Sequence, residues 1–594
     1  MPTERGSSEY KVYNDQEPER ESLLPSSSGP QQERYVSHSC YSNPRFGVNH
    51  LTVFVAGTLA CFLAQYAICG SSCFSYRERH NFPPANPTNV FPSLFPTSVG
   101  YAGKTPTGAE AAIVATAPSY PLHNASPQLV APSPGAPKGK LPKEPFDLFK
   151  KWGNLSPWYS VPRTAFGVDS GPETPPTCRV TGLHLLHRHG ARYPTAYASY
   201  GGPVNFSSRL HAVADKWNAS GELEFMNEWT YGLGGEILTP FGRQQLFDLG
   251  ISTRLKYGFL LKNFTESNTI PVFRSTPALL LSIELIDRML VSAMNFAIGF
   301  FGYPFEGQYQ QSITIGANGF NTTLAPYKTC PNASDPLQAD HGRAKVTQWA
   351  GVYLAGAVGR LRPLIKGYEL QVEDVYVLQQ LCAYEGTVAL GYSKFCELFT
   401  EEWDGYNSAF GFALGRPLGI GYVLELVARL THTPIATHNS STNGTLNDPA
   451  TFPLGQSRYV DATHEVVVLQ VLTALGLSTL AAKGTFPADH IPQNRTFRSR
   501  ELAPFVTNVH FQLLSCTSLP GPQIRVIVND GVVPLTGLAG CGAQKDGMCS
   551  AEAFVEAQRE NIGKTDWEWA CHGDWDVPEE WETTTGEPPA RGAR

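Results

Sequence analysis

The sequence predicts an α/β domain preceded by a single transmembrane helix, and three features carry that expectation. Val180, Leu183, Leu185 and Leu186 read as a buried strand, interrupted at its carboxyl end by the polar run His187 to Arg192, which is where open α/β sheets hold their ligands. Leu51 to Gly70 (LTVFVAGTLACFLAQYAICG) is free of charge and about as long as a helix must be to cross a hydrocarbon core. Eight cysteines lie beyond residue 150, an even number suited to an oxidising compartment. Across 594 residues, 45 Lys plus Arg against 52 Asp plus Glu leave a net charge of −7, with 42% hydrophobic residues. That is the balance of a globular protein, and it lacks the basic excess that would hold a nucleic-acid backbone.

Residues 1–50 are rich in Ser, Glu, Pro and Gln, too poor in apolar positions to offset the entropy of ordering, and are expected to form a disordered cytosolic tail. Residues 51–70 are expected to form a signal anchor, because no Asp, Glu, Lys or Arg occurs between Arg45 and Arg77. A cleaved signal peptide would carry its apolar run near the start of the chain, not behind a polar tail. Flanking charges decide little, since Arg45 faces Arg77 and Arg79 across the span. Glycosylation sequons decide more, because oligosaccharyl transfer occurs in the secretory lumen. None precedes the span, whereas Asn124, Asn154, Asn205, Asn218, Asn263, Asn321, Asn332, Asn439, Asn443 and Asn494 follow it, the first two weakened by a trailing proline. The expected topology is a single-pass type II membrane glycoprotein with a lumenal or extracellular domain, secreted if the anchor is clipped. Residues 71–150, heavy in Pro, Ala, Ser and Thr, read as an extended stalk, and residues 151–594 as the folded domain.

The eight cysteines of that domain, Cys178, Cys330, Cys382, Cys396, Cys516, Cys541, Cys549 and Cys571, imply four disulfides. Spacing alone leaves roughly a hundred connectivities open. Without a CxxC pair or a His-flanked cluster among them, a structural zinc site is not expected.

The chemistry concentrates in CRVTGLHLLHRHGARYPT, Cys178 to Thr195. Arg188 and Arg192 put two guanidiniums around the imidazole of His189, and Gly190 is expected to let the backbone turn close to whatever they hold. Planar forks can each take a pair of phosphate oxygens and stabilise charge that builds during transfer, while an imidazole can attack phosphorus. A solvated turn is the bland alternative, disfavoured by the apolar strand before the turn and by Pro194 closing it.

RHGARYP, Arg188 to Pro194, is similar to the RHGxRxP signature of the histidine acid phosphatases, and LHRHGARYPT resembles their fungal-type phytase branch. Ile237–Gly250, Asp287–Gly302, Leu381–Phe399, Gly419–Thr431, Tyr459–Leu477 and Arg525–Ser550 resemble further phytase segments in the family's order, so the likeness runs from about Trp152 to Pro578. It implies a phosphoglycerate-mutase-like α/β domain with a smaller, mostly α-helical domain from the middle of the chain. It also implies the pairs Cys178–Cys516, Cys330–Cys571, Cys382–Cys396 and Cys541–Cys549. His189 would be the nucleophile, Arg188, Arg192, Arg274 and His464 would bind phosphate, and Glu465 would be the general acid, standing where the family has Asp. Asp461 is expected to be structural, and Arg288, on an amphipathic helix, to make a buried ion pair. Pro277–Ile286 (PALLLSIELI) intervenes between Arg274 and the Asp-Arg pair, and such an apolar insert beside a phosphate pocket points to translated intron sequence.

The function implied is a metal-independent acid phosphomonoesterase without cofactor, acting on a small phosphate ester, first of all phytate (myo-inositol hexakisphosphate). A broad-specificity acid phosphatase is the near alternative. An inactive, membrane-tethered glycoprotein that keeps the fold as a binding module is the alternative from another class.

Overall fold

The computed structural model describes residues 147–195, 202–276, 288–335, 341–388, 393–399, 414–481, 487–492 and 495–575. The expected anchor Leu51–Gly70 and the insert Pro277–Ile286 lie outside them, and among the described residues no helix is long and apolar enough to cross a membrane.

The long strand β1 (Cys178–Arg188) is central because both its faces are apolar: Leu183, Leu185 and Leu186 are all 0% exposed. A strand that buries both faces reads as a near-continuous apolar run, and each such side chain contributes about 1.5–3 kcal/mol on burial. Residues Asn218–Ala219 (β2) and Ile365–Lys366 (β5) form a separate two-stranded ribbon. The remaining strands, β3 (Val272–Ser275), β4 (Gln310–Ile313), β6 (Arg458–Thr463), β7 (Asn508–Cys516), β8 (Pro522–Val528), β9 (Gly531–Val533) and β10 (Cys549–Ser550), join β1 in an eight-stranded mixed sheet. Its order is β10-β8-β7-β1-β6-β3-β4, with β9 on β8. β1 runs parallel to β6 and antiparallel to β7.

Helices cover both faces. In chain order those that frame the site are α1 (Pro203–Ala212), α2 (Pro240–Tyr257), α3 (Arg288–Phe301), α4 (His341–Tyr353), α5 (Ala355–Leu361), α6 (Val372–Gly386), α7 (Gly415–Thr431), α8 (Glu465–Ala474) and α9 (Ala551–Lys564). Leu185 of β1 packs with Phe273, Val460 and, from α3, Phe296 and Phe300, whereas Leu186 packs on the opposite face with Val467 and Val468 of α8 and Phe554 of α9. α2 begins where the sequence says it should: Thr239 accepts from the Gly242 amide as N-cap and Pro240 fills the first position. A second core, built from α1, α4, α5 and α6, gathers Phe206, Leu354, Leu361, Leu378 and Leu381.

The eight cysteines form the bridges Cys178–Cys516, Cys330–Cys571, Cys382–Cys396 and Cys541–Cys549, the pairs implied by the resemblance. Cys178 and Cys516 face each other across the β1–β7 register.

Candidate active site

β1 ends at Arg188, and the next residue is held from both sides: the His189 amide donates to Thr463 O at 3.1 Å, and the Val506 amide donates to His189 O at 3.0 Å. Val506 adopts φ 63°, a left-handed conformation that a β-branched residue rarely takes, so the backbone beside His189 is strained. The imidazole is 2% exposed, with Nδ1 2.8 Å from Gly190 O. A carbonyl only accepts, so Nδ1 carries the hydrogen and Nε2 keeps its lone pair. Burial, followed by the charges of Arg188, Arg288 and Arg192, holds the pKa of His189 well below the usual histidine range. The shift favours the neutral ring.

Arg188 is fully buried; its Nη1 donates to Asn154 O at 2.5 Å and Ala503 O at 2.6 Å, and its guanidinium carbon lies 4.4 Å from the centre of the Phe505 ring. Burial pushes its pKa down to about 10 while Glu465 pulls it back, so it remains charged in neutral and acid solution. Its Nη2 makes no hydrogen bond among the described residues, although it stands 3.3 Å from Glu465 Oε2 as an ion pair. Arg192 Nη1 donates to Tyr193 O at 3.0 Å and reaches the Tyr384 hydroxyl of α6 at 3.5 Å, which ties the motif to the helical domain.

His464 and Glu465 arrive from the end of β6. His464 is the N-cap of α8 and Glu465 its first residue, so both stand at the positive end of a helix. The ring centres of His189 and His464 are 6.0 Å apart, and that of Tyr327 lies 6.1 Å from His464. Burial, then Arg288, Arg192, Arg188 and Lys328, hold the pKa of His464 well below its ordinary value. The structure therefore brings Arg188, His189, Arg192, His464 and Glu465 together.

It does not bring Arg274 to them. Arg274 Nε donates to Asp461 Oδ1 and Nη2 to Glu425 Oε2, both at 2.7 Å, and the side chain is 2% exposed. Arg429 completes the cluster at 2.6 Å from Asp461 Oδ2, and the Tyr422 hydroxyl donates to the same oxygen at 3.0 Å. Burial alone would lower the Arg274 pKa, but the two carboxylates outweigh it and raise it above the ordinary arginine value. Burial likewise works against Asp461, yet Arg274 and Arg429 hold its carboxyl below the usual range. Arg274 is thus a structural cation, and Asp461 is structural as expected.

The guanidinium that reaches the two histidines in its place is Arg288, the first residue of α3. It pairs with Glu236, as an ion pair was expected to form, and its charge is among the strongest acting on both His189 and His464. Only its place at the head of an amphipathic helix signalled it, and the intervening insert turned attention to Arg274. Lys328 escaped notice for want of any motif. Gly190 also has a different job from the one expected: a Cβ there would lie 2.2 Å from Gly242 O, so the glycine lets the motif close onto α2.

The geometry agrees with what is known of other proteins. Residues 179–529 match the histidine phosphatase superfamily (branch 2). Phytase A of Aspergillus oryzae is 32% identical over 433 residues, covering 68% of this chain and 87% of that protein. Phytase A of Aspergillus awamori is 31% identical over 445 residues, covering 70% and 89%. The crystal structure of the phytase from D. castellii superposes with a TM-score of 0.56 at 20% identity, over 72% of this chain and 88% of that one, a likeness of fold. The chain belongs to the histidine phosphatase superfamily, branch 2, as a phytase-like histidine acid phosphatase.

Proposed function

We propose that the protein hydrolyses phosphate monoesters through a phosphohistidine, with phytate as its leading substrate. The observation that carries this reading is a neutral, buried His189 whose Nδ1 is held by Gly190 O among the charges of Arg188, Arg192 and Arg288. Nε2 attacks phosphorus, the guanidiniums take up charge on the phosphoryl oxygens, and the bond to the leaving oxygen breaks as Glu465 gives that oxygen a proton. Water then attacks phosphorus, its proton returning to Glu465, which frees His189 and inorganic phosphate. Activity is expected in acid, since Glu465 must carry a proton to donate it.

One feature supports a polyanionic substrate: Lys328 adds a cation at His464. The absence of lysine from Ala196 to Leu210 favours the broad-specificity alternative. The proposed setting is lumenal or extracellular behind the anchor Leu51–Gly70, in keeping with four disulfides.

Phosphate release from phytate and from p-nitrophenyl phosphate, followed from acid to neutral pH with EDTA present, tests the proposal. Activity that survives the chelator and falls by on the order of a thousandfold or more in His189→Ala is the expected outcome. The ratio of the two substrates separates a phytase from a general phosphatase. A folded, silent wild-type protein would point to the binding module.

A further inference from the structure

We infer that Asn154 is a positioning residue that sets which oxygen of Glu465 carries the transferable proton; this rests on Glu465 being the general acid. Asn154 lies in the short turn Gly153–Leu155, 311 residues before Glu465, and that turn is pinned by Trp152 and Leu155, both buried in the helical domain's core. Two groups of this one residue face the site. Its backbone carbonyl accepts from Arg188 Nη1 at 2.5 Å, and its side-chain Nδ2 donates to Glu465 Oε2 at 2.8 Å.

The same Oε2 lies 3.3 Å from Arg188 Nη2. An amide NH2 and a guanidinium offer only hydrogens, so Oε2 is confined to accepting, and a protonated Glu465 must carry its hydrogen on Oε1. During the first step that hydrogen passes from Oε1 to the leaving oxygen as the P–O bond breaks. The electron pair left on the carboxyl is then shared with Oε2, where Nδ2 and the guanidinium receive it. The clamp thereby keeps the acidic hydrogen away from Arg188 and orients the carboxyl. Asn154 also begins a glycosylation sequon, Asn-Leu-Ser, but its acceptor nitrogen is already engaged inside the site.

General acid help matters most when the leaving group is a poor one. The test is kcat of the full-length protein on glycerol 2-phosphate, whose alkoxide must be protonated to leave, and on p-nitrophenyl phosphate, whose phenolate leaves without help. Asn154→Ala should lower kcat on the alkyl ester on the order of tenfold while leaving the aryl ester within about twofold. Asn154→Leu, close to asparagine in size and shape, guards against misfolding of the alanine variant and should reproduce the gap at any pH, because it has no hydrogen to donate to Oε2. Asn154→Gln, which retains the amide, should recover part of the alkyl activity. Equal losses on both esters, or no loss on either, would overturn the inference. Glu465→Gln on the same pair separates the two claims. If it too lowers both esters equally, the general acid assignment fails, whereas a gap in Glu465→Gln without one in the Asn154 variants sinks the positioning role alone.

Discussion

Two arginine clusters sit on neighbouring strands of one sheet and do opposite things. At the ends of β3 and β6, Arg274 and Arg429 meet Asp461 and Glu425, with all four side chains at most 2% exposed. At the end of β1, Arg188, Arg192 and Arg288 surround His189, and the carboxylates beside them, Glu465 and Glu236, are 19% and 26% exposed. Matched charges sealed from water are cement; an excess of cations around a histidine, beside carboxylates that water still reaches, is a receptor for an anion. The residue type is the same in both, so charge balance rather than composition separates structure from site.

Breaking the sealed cluster should have the largest effect. Arg274→Ala leaves two buried carboxylates facing one guanidinium and should destabilise the fold by about 3–5 kcal/mol, read by chemical denaturation. If Arg274→Ala kept full stability and lost catalysis, the roles of the two clusters would have to be exchanged. Arg288→Ala should do the reverse, lowering kcat/KM by about 10²–10³ with the unfolding midpoint nearly unchanged.

The contrast extends to two histidines of one strand region. His187 stacks on Phe296, and burial lowers its pKa to about 4. The unfolded chain takes up that proton near pH 6.5 while the folded chain refuses it. The stability tied to His187 is therefore fully present above pH 6.5 and is lost as pH falls toward 4, about 3 kcal/mol in all. His187→Gln should flatten that part of a denaturation series. Smallest is a shift in the pH profile of Arg288→Ala: removing a cation that holds the His189 and His464 pKa values down lets both rings protonate sooner, so the acid limb of kcat/KM should move to higher pH.

How legible each part was depended on how far its partners lay along the chain. The seven residues of RHGARYP are contiguous, and the apolar run before them announced a strand buried on both faces, so His189, the two guanidiniums of its motif and the sheet around them could be read directly. Arg274 looked the same as a phosphate ligand because its counter-charge, Asp461, is its register partner on β6, 187 residues away. Arg288 and Asn154 were illegible for the converse reason. One opens a helix that ordinary ion pairing would explain, and the other looks like a glycosylation signal until the fold sets it against Glu465. The disulfide pairing came from family likeness, not from spacing.

The placement of β1 also fixes when the protein becomes active. Its antiparallel partner, β7, ends at Cys516, 338 residues after Cys178, and Val506, which holds His189, belongs to the same late stretch. At a synthesis rate of about 5–20 residues per second, His189 emerges from the ribosome roughly 20–70 seconds before the chain that clasps it. A nascent chain thus passes through a long interval with a cationic, half-built pocket and an unpaired cysteine, during which it has no catalytic power. The site is thus completed by a late part of the chain, when β7 pairs with β1 and the Val506 amide reaches His189 O.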